Sequence, residues 1–328
     1  MGDVLLMGPA IRAIAHRASV TLLAGPGGAA AARLLPGVDH VLVHALPWIV
    51  ADPDGCDPDG IDALLEDVRA LAPDEAVIFT SFHQSPLPLA LLLRLAGVGR
   101  ISAISDDYPG ALLDVRHGVR DDMHEVERAC SLAAAAGFPA PPGDDGRLAI
   151  RSTGPERTGG GANVVVHPGA SVSARAWDPD RCRTLVRALA RGGVRVKVTG
   201  TESEGALTAF VAGSHPLVED LGGACDLAGL AEVLRAASVV VCGNTGPAHL
   251  AAAVGTPVVA LYAPTVPAVR WRPWRVAHVL LGNQDIECRG CRARTCPVAD
   301  HPCLDVPVSE VLAALERVVP ELRLGMAA

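Results

Sequence analysis

Two doubly wound α/β domains, each a parallel sheet with helices on its faces, are the fold this sequence predicts. Three observations carry the expectation. The 328 residues are enough for about two domains of roughly 100 to 200 residues each. Half of the residues are hydrophobic but only 3% are aromatic, so the core must be built from Ala, Val and Leu, which suits helices packed closely on a parallel sheet. Short apolar runs bounded by Gly and Pro also alternate with Ala/Leu-rich stretches along the whole chain, and that is the pattern of repeated βα units.

In the first half, 20–24, 41–46, 76–80 and 101–104 are Val-, Ile-, Leu- and Ala-rich runs of strand length. The stretches 8–16, 27–35, 61–71 and 86–95 read as the helices around them, and a longer helix from 122 to 136 closes the domain, set at residues 1–150. Residues 151–162 contain Ser152-Thr153-Gly154-Pro155 and Gly159-Gly160-Gly161 and show no periodicity, so they read as a linker. The second domain, 163–328, restarts with strands at 163–167, 195–199, 218–220, 239–242 and 258–262 and helices at 179–191, 202–212, 227–236 and 247–253. Domains of this kind take ligands at the carboxyl ends of their strands, here expected to face an interdomain cleft. The first domain apparently lacks its first strand, because Met1-Gly2-Asp3-Val4-Leu5-Leu6 runs at once into a helix. A start assigned at an internal methionine is the favoured explanation.

Composition excludes several classes. A net charge of −8 and a pI of 5.7 argue against nucleic acid as a partner, since phosphate neutralisation needs a dense basic surface. The run Arg270-Trp271-Arg272-Pro273-Trp274-Arg275 reads as a loop that packs its indoles and solvates its arginines. No stretch reaches the roughly 18 to 20 apolar residues of a transmembrane segment; 87–95 is broken by Pro88 and Arg94. With Asp3 and Arg12 where a secretory signal would be basic and then apolar, a cytoplasmic location is expected. Five scattered cysteines, Cys56, Cys130, Cys182, Cys225 and Cys242, read as reduced, small hydrophobes.

Three segments carry chemistry. Val239 to Ala253 is a buried strand, a turn through Gly243-Asn244-Thr245-Gly246, and an Ala-rich helix. The N–H groups at such a helix start form an anion site suited to a diphosphate, and Gly246 permits close backbone approach. Val164-Val-Val-His167-Pro168-Gly169-Ala170-Ser171, followed by Arg175-Ala176-Trp177, offers a hydroxyl and a guanidinium fork that fits phosphate oxygens. In Val196-Lys-Val-Thr199-Gly200-Thr201-Glu202, a carboxylate at a strand end can accept hydrogen bonds from ribose hydroxyls. Taken singly, each also reads as an ordinary capped βα turn. Beyond these, Cys288-x2-Cys291-x4-Cys296-x6-Cys303 is open between a structural zinc site, reduced or redox-labile thiols and an iron-sulfur cluster. His83, after a first-domain strand, is a candidate acceptor contact or a structural loop histidine.

The order of these segments, from Gly2-Asp3 through His-Pro-Gly-Ala-Ser, Thr-Gly-Thr-Glu and Asn-Thr-Gly-Pro-Ala-His to the cysteines, resembles the ADP-heptose:lipopolysaccharide heptosyltransferases of glycosyltransferase family 9. The resemblance covers essentially the whole chain and is strongest from Val164 to Cys303. It implies a GT-B fold, with the acceptor mainly on the first domain and the nucleotide sugar on the second. It also implies an inverting, metal-independent transfer from a nucleotide-diphospho-sugar, an ADP-sugar being favoured, to a saccharide or lipid-linked acceptor, with peripheral membrane contact left open and no cofactor required for catalysis. Asp3 then matches the general base, and Arg175 a residue that pairs with the donor phosphates. Ser171 lines the same pocket, Glu202 matches a nucleoside-binding glutamate, and Thr245, Gly246 and His249 match the diphosphate-binding turn. Asn244 departs from the pattern: it stands where these enzymes carry an Asp that contacts the donor sugar, and an amide lacks that charge. The competing reading is a nucleotide-sugar-binding or isomerising GT-B protein without transfer activity.

Overall fold

The computed structural model describes residues 1–50, 55–81, 84–151 and 163–322. The chain divides into two compact units, one built on Asp3–Arg147 and the other on Leu148–Ala328. Most of the expected linker, 152–162, lies outside the described residues, as does His83.

The first unit opens in helix Gly2–Leu6, followed by helix Gly8–Ala15. Its strands are β1 (Thr21–Ala24), β2 (His40–Val43), β3 (Glu75–Ile78), β4 (Arg100–Ile104) and β5 (Val115–His117). They form two parallel sheets, β1-β2 and β3-β4-β5. Among the described residues β1 and β3 therefore have one strand neighbour each. A shared core nevertheless joins the sheets, with Leu23 of β1 and Leu42 of β2 packing against Leu64, Ile78, Ile101 and Ala103. A second cluster seats Ala10 against Ala129, Ala133 and Ala136, small residues that allow two helices to approach closely. Helix Pro58–Leu71 starts where the Asp57 carboxylate accepts the Asp59 N–H at 3.2 Å, and stops at Ala72, whose φ of 46° is left-handed. Helix Glu125–Ala135 begins after the expected position because its cap is His124: Nδ1 accepts the Val126 N–H and Glu127 accepts the His124 N–H, each at 3.2 Å.

The second unit holds one six-stranded parallel sheet. Its strands are β6 (Asn163–His167), β7 (Arg195–Gly200), β8 (Val218–Gly222), β9 (Val239–Gly243), β10 (Val258–Leu261) and β11 (His278–Leu281), in the order β11-β10-β9-β6-β7-β8. The chain winds outward from β6 to β8, then crosses back to lay β9 on the other side of β6. Val164, Val165, Val239, Val240, Val258 and Val259 are fully buried, which is why these strands read as continuous apolar runs rather than alternating ones. Helix Pro179–Arg191 is capped by Asp178, which accepts the Arg181 N–H at 2.9 Å, and buries Cys182, Leu185, Val186 and Leu189 along one face.

Three expectations are corrected here. The stretch 202–212 is a 3₁₀ turn, Glu202–Glu204, followed by helix Gly205–Ala212. Strands β5 and β11 and helix Val308–Val318 were not anticipated from the pattern. The Arg/Trp run starts within helix Ala268–Trp271, and Arg270 is buried with its guanidinium 5.5 Å from the Trp271 ring centre, not solvated. No helix among the described residues is long and apolar enough to cross a membrane.

Candidate donor site in the second unit

The reversal of winding between β6 and β9 opens a crevice at their carboxyl ends, where doubly wound sheets take ligands. His167 pairs with Cys242 in register, so the loops after β6 and β9 leave the sheet side by side. The first loop carries Ser171, which is exposed, and then the short turn Ser173–Arg175. The second runs through Gly243, Asn244 and Thr245 into helix Gly246–Ala253. The loops touch: a Cβ on Gly243 would stand 2.5 Å from the Arg175 carbonyl oxygen, so only glycine allows the approach. Arg175 is half-buried, and its Nε donates to the buried Thr265 Oγ1 at 3.2 Å. Among the described residues no carboxylate forms an ion pair with it.

Helix Gly246–Ala253 starts at Thr245 without a side-chain cap and without an acidic residue in its first turn. Its first turn therefore supplies no side chain of its own to offset the positive helix end. Thr245 Oγ1 instead reaches back to the Gly243 carbonyl at 3.5 Å. A guanidinium and a helix start are both groups that can hold an anion. His249 lies buried on the same helix.

Asn244 is turned into the fold. Its Nδ2 donates to the Ala263 carbonyl at 3.3 Å, while Oδ1 is buried and has no hydrogen-bond partner among the described residues. A carboxylate could not make the first contact, because it has no proton to donate.

On the other side of β6 lie two carboxylates of one turn. Glu202 is exposed at the start of its turn. Glu204 is the residue held at the strand ends: its Oε2 accepts the Thr201 N–H at 2.8 Å and Thr201 Oγ1 at 2.9 Å, and a Cβ on Gly169 would fall 2.0 Å from Oε1. The signal for it was the capping-box spacing Thr201-x-x-Glu204. His167 is buried, with Nδ1 3.0 Å from Thr199 Oγ1; burial pushes its pKa down, opposed by the Glu204 charge.

The remaining candidates are Asp3 and the clustered cysteines. Asp3 is exposed in the first turn of helix Gly2–Leu6, in the first unit. At the carboxyl ends of β3 and β4 the sequence reading missed a buried pair, Glu125 and Arg128, 3.4 Å apart; Arg128 also donates to the Thr80 carbonyl at 2.6 Å. The pair borders a small cavity lined by Met7, Phe79, Thr80 and Ile104. Of the clustered cysteines, Cys303 is buried and Cys291 exposed. The Cys303 thiol is pushed up to about 11, by burial first and then by the charges of Cys296, Cys288 and Cys291. Among the described residues no group of three His, Cys, Asp or Glu is placed to hold a metal ion.

Two Rossmann-like units of this kind make the GT-B fold, and solved GT-B structures align with nearly the whole chain. A glycosyl transferase family 9 structure from Veillonella parvula DSM 2008 gives a TM-score of 0.76 at 16% identity, covering 98% of this chain and 94% of the other. The Escherichia coli heptosyltransferase WaaC with ADP-2-deoxy-2-fluoro heptose gives 0.73 at 22% identity, covering 96% of each chain. Residues 84–301 match the family described as glycosyltransferase family 9 (heptosyltransferase), and the chain belongs to that family. In sequence it is 27% identical to lipopolysaccharide heptosyltransferase 3 of Escherichia coli over 181 residues, 52% of this chain and 51% of the relative. The chain thus spans about half the length of the curated relatives it matches.

Proposed function

We propose that the protein is an inverting glycosyltransferase that moves heptose or a similar sugar from an ADP-linked donor to a saccharide or lipid-linked acceptor. The observation that supports this reading is the Arg175 turn packed against Gly243, which leads into the uncapped start of helix Gly246–Ala253; both groups are read as partners of the donor diphosphate. Both stabilise the diphosphate as it leaves with the bonding electrons, which is where negative charge grows in the transition state. Family membership, together with the ADP-2-deoxy-2-fluoro heptose of the WaaC structure, supports an adenine nucleotide. Glu202, exposed at the end of β7, is the carboxylate for the ribose hydroxyls. Asn244 is an amide where the resemblance implies a carboxylate, so it brings no charge to the donor sugar.

Asp3 takes the proton of the acceptor hydroxyl as that oxygen attacks the anomeric carbon from the face opposite the diphosphate. With Arg175 and the helix start meeting the leaving charge, the transfer needs no metal. The cysteine cluster stays open between reduced thiols and a structural zinc, which with four thiolates would have no position left for substrate. The first unit is the acceptor domain, and the protein works in the cytoplasm, with lipid-linked acceptors met at the inner face of the membrane.

The test is binding and turnover on the same preparation. Among ADP, UDP, GDP and dTDP, ADP alone should raise the melting temperature, because a ligand that binds only the folded state stabilises it. Asp3→Ala should then abolish transfer while ADP affinity survives. Unchanged turnover removes Asp3 from its role, and nucleotide binding without transfer by the parent chain favours the binding-protein reading.

A further inference from the structure

The cysteine loop reaches the donor site through hydrogen bonds that family membership does not explain. It grips the Ser173–Arg175 turn on both sides of one residue. The Ala174 N–H donates to the Arg294 carbonyl at 2.9 Å, and the Ala174 carbonyl accepts from His301 Nε2 at 3.1 Å. Ser173 Oγ donates to the same Arg294 carbonyl at 3.1 Å. A second set of contacts holds the segment against which the Arg175 guanidinium rests: the Arg292 N–H donates to the Thr265 carbonyl at 3.0 Å, and the Gly290 N–H to the Pro264 carbonyl at 2.7 Å. Thr265 is the residue whose hydroxyl accepts from Arg175 Nε.

The loop adopts unusual backbone to do this. Arg292, Asp300 and His301 have φ of 55°, 60° and 45°, in the left-handed region that side chains other than glycine rarely occupy. Such conformations persist where the surroundings hold them in place. In that conformation the His301 ring reaches the Ala174 carbonyl, which belongs to the peptide unit that leads into Arg175. The carbonyl of Arg175 itself is packed against Gly243. The backbone on both sides of the arginine is thereby fixed, and so is the hydroxyl that steers its guanidinium.

We propose that His301 is a positioning residue for Arg175, acting through the Ala174 carbonyl, and that the loop from Cys288 to Cys303 is the brace that presents the guanidinium to the donor diphosphate. The proposal rests on the reading of Arg175 as the diphosphate partner. It places a determinant of donor affinity on a side chain that never touches the donor.

The experiment measures the affinities of ADP and of adenosine for the full chain by calorimetry, in the parent and in five variants. His301→Ala should weaken ADP about tenfold, the scale of one lost hydrogen bond, and leave adenosine unchanged. His301→Gln, which keeps an N–H donor on a side chain of similar reach, should restore ADP binding. In the double variant His301→Ala/Arg175→Ala, ADP should bind no more weakly than in Arg175→Ala alone, because the two act on one contact. Ser173→Ala, a milder release of the same turn, should show a smaller loss with the same preference for ADP, and decides the matter if His301→Ala does not fold. Equal losses for ADP and adenosine, additive losses in the double variant, or folded His301→Ala and Ser173→Ala with unchanged ADP affinity each overturn the proposal. If Arg175→Ala itself binds ADP normally, the diphosphate reading fails and takes the brace with it; that failure is recognised by the arginine variant and not by the histidine.

Discussion

Gly243 shows how one missing atom can organise a site. Its bare backbone lets the Arg175 carbonyl approach to where a Cβ would stand 2.5 Å away, so Gly243→Ala must push the Ser173–Arg175 turn off β9. We expect overpacking to destabilise the second unit by about 1 to 3 kcal/mol, and ADP affinity to fall with it, read by calorimetry against the parent. His167 sets a pH dependence. Its ordinary pKa is 6.5 and burial lowers it in the fold, so above about pH 6.5 the ring is neutral in both states and costs nothing. Below that value the unfolded chain binds a proton that the folded chain resists, and stability falls as pH drops toward the folded pKa. His167→Gln should therefore lose less melting temperature than the parent between pH 7 and pH 5.5. At this scale the sequence was informative where backbone chemistry dictates the residue: the glycine turn, the arginine after it and the Asn-Thr-Gly helix start all lie at the crevice. It was silent where two similar side chains stand two residues apart, since only the structure shows that Thr201 bonds Glu204 while Glu202 is exposed.

Elements were legible in proportion to their burial. The central strands of the second unit, buried on both faces, announce themselves as valine runs, whereas β5 has the sequence Val115-Arg116-His117 and β11 opens on His278, edge strands whose polar residues break the apolar pattern. The cysteine loop is the element whose sequence left most open. Thiols that raise one another's pKa, as around Cys303, are held apart by charge as soon as they ionise, and a divalent cation reverses that repulsion. Elemental analysis decides between the readings: about one zinc per chain in protein purified without chelator, with a melting temperature that chelator lowers, would assign a structural zinc. A metal-free preparation with four titratable thiols would assign the cluster as reduced cysteine.

The chain divides into two compact units, each with its own core. Separate cores can unfold as separate cooperative blocks. Scanning calorimetry should then show two transitions, of which ADP raises only the one belonging to the second unit; at 100 times its Kd the stabilisation is about 2.7 kcal/mol. A single transition moved as a whole by ADP would mean that the units melt together. Among the described residues the second unit has one six-stranded sheet, whereas the first has a three-stranded and a two-stranded one and so more strand edges. In the first, β1 and β3 each have a strand on one side only among the described residues, and a parallel strand edge is a template for any extended segment that presents matching N–H and carbonyl groups. The consequence concerns handling as much as architecture: at high concentration or on warming, self-association should begin by intermolecular strand pairing at the first unit, while the donor site on the second is still folded and still able to bind nucleotide.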